Sequence, residues 1–230
     1  MVDWQNIHTV FLDMDGTLLD LHFDNYFWLH HVPQRYAEKH GLSPQDSKDQ
    51  LKLRYDKVAG TMQWYCVDYW TKELDLDIVR LKEEVSHLIA LRLDAEAFLA
   101  HLSGLNKRVV LLTNAHPTIL TLKMRYTGLA NQFSTLISAH TIGLPKEHAD
   151  FWQKLQSLEK FTAQQTLLID DSYPVLESAH AYGIAHLLGI QQPDSKQPPK
   201  NSANFRLLKE FAELMPLHPV GPIVAVSEIG

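Results

Sequence analysis

Cysteine is nearly absent. Cys66 is the single one in 230 residues, so no internal disulfide is available, and a chain without disulfides suits a reducing compartment. The opening MVDWQNIHTV has neither the basic segment nor the apolar run of a secretory signal. No stretch approaches the roughly 20 apolar residues that a bilayer crossing needs. A cytoplasmic protein without membrane association is expected. Basic charge is also scarce: 21 Lys and Arg face 27 Asp and Glu, for a net charge of -6. That balance excludes a broad electrostatic footprint for a nucleic-acid polymer, so any anionic partner is a small molecule handled by a local arrangement of charges. Internal repeats are lacking too, and no feature of the pattern sets an oligomeric state.

What is present is the composition of an ordinary globular chain, with 45% hydrophobic and 21% charged residues. Short runs rich in Val, Ile and Leu recur: TVFLD at 9–13, RVVLLT at 108–113, TLISA at 135–139, TLLID at 166–170 and IAHLLG at 184–189. Such runs read as strands buried on both faces of a parallel sheet. Between them, PTILTLKMRYTGL, KEHADFWQKLQSLEK and SYPVLESAHAYGI carry apolar residues at helical spacing, with glycine stops in YTG and AYG. The alternation predicts an α/β fold, a doubly wound (Rossmann-like) parallel sheet.

Residues 21–92 break the rhythm. They hold no convincing strand and read as several helices interrupted at HGLSP and near VAGT, with a dense aromatic set that includes Tyr26, Trp28, Tyr55, Trp64, Tyr65 and Trp70. An inserted α-helical cap domain is therefore expected over 21–92, within a discontinuous core of 1–20 and 93–216. After the proline-rich loop QQPDSKQPPKN, the stretch FRLLKEFAELM reads as a short helix, and 217–230 form a tail without usable periodicity.

In open α/β sheets ligands bind outside the carboxyl ends of the strands, so the residues there should converge. The first strand ends in Asp13 and Asp15 with Gly16 and Thr17, the second in Thr113 and Asn114, and the fourth in Asp170 and Asp171; Lys146 follows the third. Like charges gathered at buried strand ends are unfavourable without a cation between them. Their all-oxygen character suits Mg²⁺, which takes about six oxygen ligands and keeps waters and substrate phosphate in its shell. Lys146 adds positive charge, while Thr113, Asn114 and backbone N–H groups after Asp13 can bind phosphoryl oxygens. Taken one at a time, the same residues also read as helix caps or solvated charges.

In chain order, DMDGT, LLTNA, PKE and LLIDDS resemble the four motifs of the haloacid dehalogenase-like hydrolases. The resemblance implies that Asp13 is the nucleophile of an aspartyl-phosphate intermediate and that Asp15 is first general acid and then general base. It implies phosphoryl binding by Thr113 and Asn114, with Lys146 neutralising and orienting. It also implies Mg²⁺ held by Asp13, the Asp15 carbonyl and Asp171, with Asp170 a direct ligand or one acting through water. Gly16 and Leu18 to Asp24 correspond to a mobile turn and flap that let the cap close. LLDLHFDNYFW, WYCVDYW, LLTNAHP and LPKEHADFW further resemble the bacterial GMP/IMP 5′-nucleotidase subgroup, implying a small-molecule phosphomonoester substrate of the purine nucleoside 5′-monophosphate class. The same motifs serve sugar-phosphate phosphatases and phosphoglucomutase-like phosphotransferases. A phosphate-binding signalling module is the non-enzymatic alternative, which the acid at Asp15 opposes.

Asn25 and Tyr26, just after the flap, are the cap residues placed to meet substrate, whereas WYCVDYW reads first as packing. Lys123 is the fallback for the role given to Lys146. His116, His140 and His148 have no spacing typical of metal ligands and receive no role.

Overall fold

The computed structural model describes residues 2–216, and the tail expected over 217–230 lies outside them. Five of the six strands are those anticipated: β1 (Thr9–Leu12), β2 (Arg108–Thr113), β3 (Thr135–Ser138), β4 (Thr166–Asp170) and β5 (His186–Ile190). With β6 (Leu207–Leu208) they form one all-parallel sheet in the order β3-β2-β1-β4-β5-β6. Chain order reverses direction at β1, and the crevice beside such a switch point is where ligands bind. The stretch FRLLKEFAELM is not a helix: Leu207–Leu208 pair with Gly189 and Ile190, and only Phe211–Leu214 form a 3₁₀ turn. The apolar pair gains more by closing the sheet edge than by starting a helix too short to bury a face.

Alternation along β1 sends Val10 and Leu12 to one face and Phe11 to the other. Against the first face pack α6 (Ala95–Gly104) and α7 (Pro117–Thr127), through Phe98, Leu102, Ile119 and Met124. Against the second pack α9 (Phe151–Leu158) and α10 (Tyr173–Tyr182), through Phe151, Trp152, Val175 and Leu176. Between β3 and α9 lies the single turn α8 (Ala139–Ile142).

From residue 22 to 88 the chain is helical, as expected: α1 (His22–Tyr26), a π-helical turn (Phe27–His31), α2 (Val32–His40), α3 (Pro44–Val58), α4 (Val67–Leu74), α5 (Ile78–Glu84) and a 3₁₀ turn (Ser86–Leu88). The break at HGLSP is built from local chemistry. Gly41 takes the left-handed conformation (φ 63°), Ser43 accepts from the Asp46 N–H at 3.1 Å, and Pro44 starts α3. The π-helical turn precedes Pro33, which has no N–H to give the Leu29 carbonyl, so the helix widens where its ladder is short of a donor. Buried side chains of this helical segment, among them Phe27, Trp70 and Leu81, are continuous with the apolar layer on the first face of the sheet. The segment is therefore seated on the sheet through shared hydrophobic packing.

Candidate active site

Strand register assembles the acids. Leu12 lies level with both Leu111 and Ile169, so the next residue, Asp13, emerges beside the ends of β2 and β4. Its N–H continues the ladder to the Ile169 carbonyl at 3.0 Å. Carboxylate oxygens of Asp13, Asp170 and Asp171 lie within 4.8 Å of one another. Lys146, 2% exposed, puts Nζ 2.6 Å from Asp13 Oδ1 and 2.6 Å from Asp170 Oδ2, and donates to the Leu112 carbonyl at 3.0 Å. Burial alone would lower the Lys146 pKa, but Asp13 and Asp170 outweigh it and hold the ammonium charged.

One lysine does not balance three acids. Asp13 is pushed up to about 6 by burial and by Asp170, against the pull of Lys146. Asp171 is likewise raised to about 6 by burial and Asp13, although Lys200 Nζ lies 3.4 Å from its Oδ2. Asp13 Oδ2 is buried without any hydrogen-bond partner. Three carboxylates gathered beside a single buried ammonium are a set of oxygen donors that a hard divalent cation completes. Asp170 is already used on both oxygens, by Lys146 and by the Ser172 N–H at 2.9 Å, whereas Asp171 is freer to ligate.

Gly16 is required where it stands. With φ +84°, a Cβ there would lie 2.7 Å from Asp171 Cγ, so only glycine lets the turn after β1 pass this carboxylate. The turn is also well tied. Leu18 and Leu19 donate to the Met14 carbonyl at 3.0 and 2.8 Å, Asp20 donates to Ala90, and Arg92 donates to Leu18. Leu18 and Leu19 are buried.

Asp15 points away from the other acids, toward a second cluster. Lys123, fully enclosed on α7, sits 2.5 Å from Asp15 Oδ1 and 2.5 Å from Asp24 Oδ2; Lys82 of α5 holds the other Asp24 oxygen at 2.6 Å. Lys82 Nζ lies 4.3 Å from the Phe27 ring centroid, a cation–π contact from within the helical segment. Burial, then Asp24 and Asp13, raise Asp15 to about 6 despite Lys123. For Asp24 the two lysines overcome burial and hold its carboxyl well below the usual range. Thus Lys123 pairs with Asp15 and Asp24, whereas Lys146 pairs with Asp13 and Asp170.

A cavity of about 330 Å³ opens above these groups. Asp13, Asp15, Thr113, Asn114, Lys146, Asp170, Asp171 and Asn25 all line it, and Tyr26 does not. Tyr26 stacks on His30 with ring centroids 5.6 Å apart. Asn25 donates to Asp194 at 2.7 Å. Thr113 Oγ1 accepts from the Ala115 N–H, leaving its hydroxyl proton free to donate. Asn114 spends its carboxamide locally, accepting from the Lys146 N–H and donating to Glu147, to which Tyr65 also donates. The far wall is apolar and comes from the helical segment: Trp28, Leu29, Tyr55, Trp64 and Tyr65. WYCVDYW thus divides, with Trp64 and Tyr65 on the cavity and Trp70 fully buried beneath them.

Among comparisons with known proteins, a haloacid dehalogenase-like hydrolase family profile matches residues 7–183. The chain is 41% identical over 215 residues to the GMP/IMP nucleotidase YrfG of Escherichia coli (strain K12), covering 94% of this chain and 97% of that protein; the same-named Shigella flexneri protein gives the same values. Among solved structures, a HAD phosphatase from Thermococcus onnurineus superposes with a TM-score of 0.75 at 19% identity, covering 90% of this chain and 96% of that one. This likeness is one of fold.

Proposed function

Because the chain belongs to the haloacid dehalogenase-like hydrolases, we propose that it is a Mg²⁺-dependent phosphomonoesterase that converts purine nucleoside 5′-monophosphates, GMP and IMP foremost, to nucleoside and phosphate. The observation that carries this reading is the buried, unpartnered Asp13 Oδ2 on a cavity that Asp15, pushed up to about 6 by burial, also lines. The first is a nucleophile without a competing donor. The second is a carboxyl that exchanges its proton near neutral pH, as a residue acting in turn as acid and base must.

In the first step Asp13 Oδ2 bonds to phosphorus, the bond from phosphorus to the ester oxygen breaks, and Asp15 passes its proton to that oxygen. In the second, the Asp15 carboxylate takes a proton from water, the water oxygen bonds to phosphorus, and the aspartyl–phosphorus bond breaks to release phosphate. The Thr113 hydroxyl donates to a phosphoryl oxygen, and Lys146 keeps positive charge beside Asp13. Asn114 acts by anchoring the Lys146 backbone and Glu147. Asp13, Asp171, the Asp15 carbonyl and Asp170, directly or through water, would hold Mg²⁺, which supplies the positive charge that lets a phosphate dianion approach a carboxylate.

Residues 21–92 serve as the cap over a core of 1–20 and 93–216. Their aromatic wall takes the purine, and Asn25 is the cap-side polar contact; Tyr26 belongs with the packing. A relative named GMP/IMP nucleotidase at 41% identity supports the substrate class. No helix among the described residues is long and apolar enough to cross a membrane, and the reading is of a cytoplasmic enzyme acting on small molecules, not on nucleic-acid polymers. The test is phosphate release from GMP, IMP, AMP, UMP, glucose 6-phosphate and p-nitrophenyl phosphate, with Mg²⁺ and with EDTA. The expected outcome is that GMP and IMP lead and that EDTA abolishes release. Leading sugar phosphates would overturn the substrate class alone; no release from any ester would overturn the chemistry.

A further inference from the structure

Beside the acidic centre the fold brings together three residues of quite different character. Cys66 begins α4, His116 lies in the loop between β2 and α7, and His140 lies in α8. Their ligand atoms, one from each residue, lie within 4.8 Å of one another. The two imidazoles meet edge to face, with centroids 4.9 Å apart. His140 Nε2 is buried with no hydrogen-bond partner, while the Tyr65 backbone supports the ring from elsewhere. A fourth donor is at hand in Asp68, whose Oδ2 is 3.5 Å from His116 Nε2 on a side chain that is 80% exposed and free to swing.

We propose that Cys66, His116 and His140 form a Zn²⁺-binding site, separate from the acidic centre, that ties the N-cap of α4 to the loop that follows Thr113 and carries Asn114. The donor chemistry selects the ion. One thiolate and two imidazoles are a borderline-soft set that Mg²⁺ does not use, and three protein ligands with an open or carboxylate-filled fourth position is a common Zn²⁺ arrangement. Ligation requires neutral imidazole and ionised thiol. Burial and the adjacent His116 hold the His140 pKa below its ordinary value, which favours the ligating form. Zn–N and Zn–S bonds of about 2.0–2.3 Å demand that the three side chains draw together from their present spacing. His116 also gives up its 3.3 Å acceptance from the Thr118 N–H if Nε2 takes the metal.

The consequence is mechanical. Cys66 sits two residues from Trp64 on the aromatic wall, and His116 two residues from Asn114, and both Trp64 and His116 line the cavity. An ion joining them fixes the spacing between the purine-facing wall and the phosphate-facing loop. The proposal stands on the side chains alone and is independent of the substrate assigned above.

The test is titration of the full-length protein with Co²⁺ and Zn²⁺ in excess Mg²⁺, read by absorption. One equivalent of Co²⁺ gives a near-ultraviolet thiolate-to-cobalt band, which an all-carboxylate site cannot produce, and Zn²⁺ bleaches it. Cys66→Ser removes the band while retaining a side-chain acceptor for the Tyr69 N–H that now caps on Sγ, so α4 stays capped. His140→Ala, which removes a direct ligand, weakens binding by more than the ~10–100-fold that loss of an outer-shell partner costs, and circular dichroism and Mg²⁺-dependent turnover of the Cys66→Ser protein report that the fold persists. Stoichiometric Co²⁺ binding with no thiolate band, or Zn²⁺ affinity unchanged within a factor of two in both variants, would overturn the site.

Discussion

Lys123→Met isolates the charge cluster behind Asp15. The substitution keeps the length and most of the volume of a side chain that is 1% exposed, and deletes one ammonium lying 2.5 Å from each of two carboxylates. Breaking a buried pair by removing one partner costs about 3–5 kcal/mol, because the remaining charge is stranded. Two features place this site at the low end. Asp24 keeps Lys82 at 2.6 Å, and the Asp15 side chain is 21% exposed and can recruit water. A loss of about 3 kcal/mol follows, which for a chain of this size lowers Tm by roughly 6–12 °C. A second readout separates position from stability. Lys123 lowers the Asp15 pKa, so its loss moves that pKa above about 6. In the proposed mechanism the water-activating step needs Asp15 ionised, so the acidic limb of kcat is expected to shift to higher pH. Thermal unfolding by circular dichroism and a pH profile of GMP hydrolysis are the assays. A Tm within ~2 °C of the parent together with an unmoved acidic limb would refute the linkage of Lys123 to Asp15.

Gly16→Ala, which drives a Cβ to 2.7 Å from Asp171 Cγ and needs φ +84° from a residue with a side chain, should cut kcat by ~100-fold or more and weaken Mg²⁺ activation, measured by phosphate release against Mg²⁺ concentration. Asp15→Asn should lose most turnover while retaining far-ultraviolet dichroism; unchanged kcat would remove Asp15 from the chemistry. Trp64→Ala should raise KM for GMP by ~10-fold, the scale of one lost base–aromatic stack, and leave KM for ribose 5-phosphate near its parent value. Asp13, Asp15 and Asp171 have folded pKa values raised from 3.8 to about 6. Their protonation therefore stabilises the metal-free fold below pH ~4, and that contribution is lost as pH rises through about 6. Added Mg²⁺ should raise Tm at pH 7.5, and the increment should shrink toward pH 5; a Tm gain independent of pH would contradict this.

The parallel sheet was readable because a strand covered on both faces must be apolar along its whole length, and TVFL, VVLLT and TLLID have no competing periodicity. The acids at their ends were readable for a related reason: charge that terminates such a run has nowhere to go but the sheet's carboxyl edge. The helix breaks at HGLSP followed from local rules of glycine, serine and proline. Leu207–Leu208 escaped because two leucines within FRLLKEFAEL satisfy a helical pattern as well as a strand, and only the open edge at Gly189 and Ile190 decides between them.

Contacts between distant segments had no such signal. Lys82 and Lys123 look in sequence like any surface lysine; it is the packing of α5 and α7 against α1 that buries them around Asp24. Tyr26 and Trp64 are equally aromatic, yet Tyr26 on α1 stacks on His30 while Trp64, in the turn between α3 and α4, lines the cavity. Cys66, His116 and His140 are far apart along the chain and converge only because α4, the loop after β2 and α8 share one corner. What the sequence by itself determined, then, is the sheet, its charged carboxyl edge and the chemistry that edge performs, since these follow from burial acting on neighbouring residues. Only the tertiary structure decided which lysine faces which acid, which rings line the cavity and where Cys66, His116 and His140 meet, because those depend on packing directions between elements that no local pattern encodes.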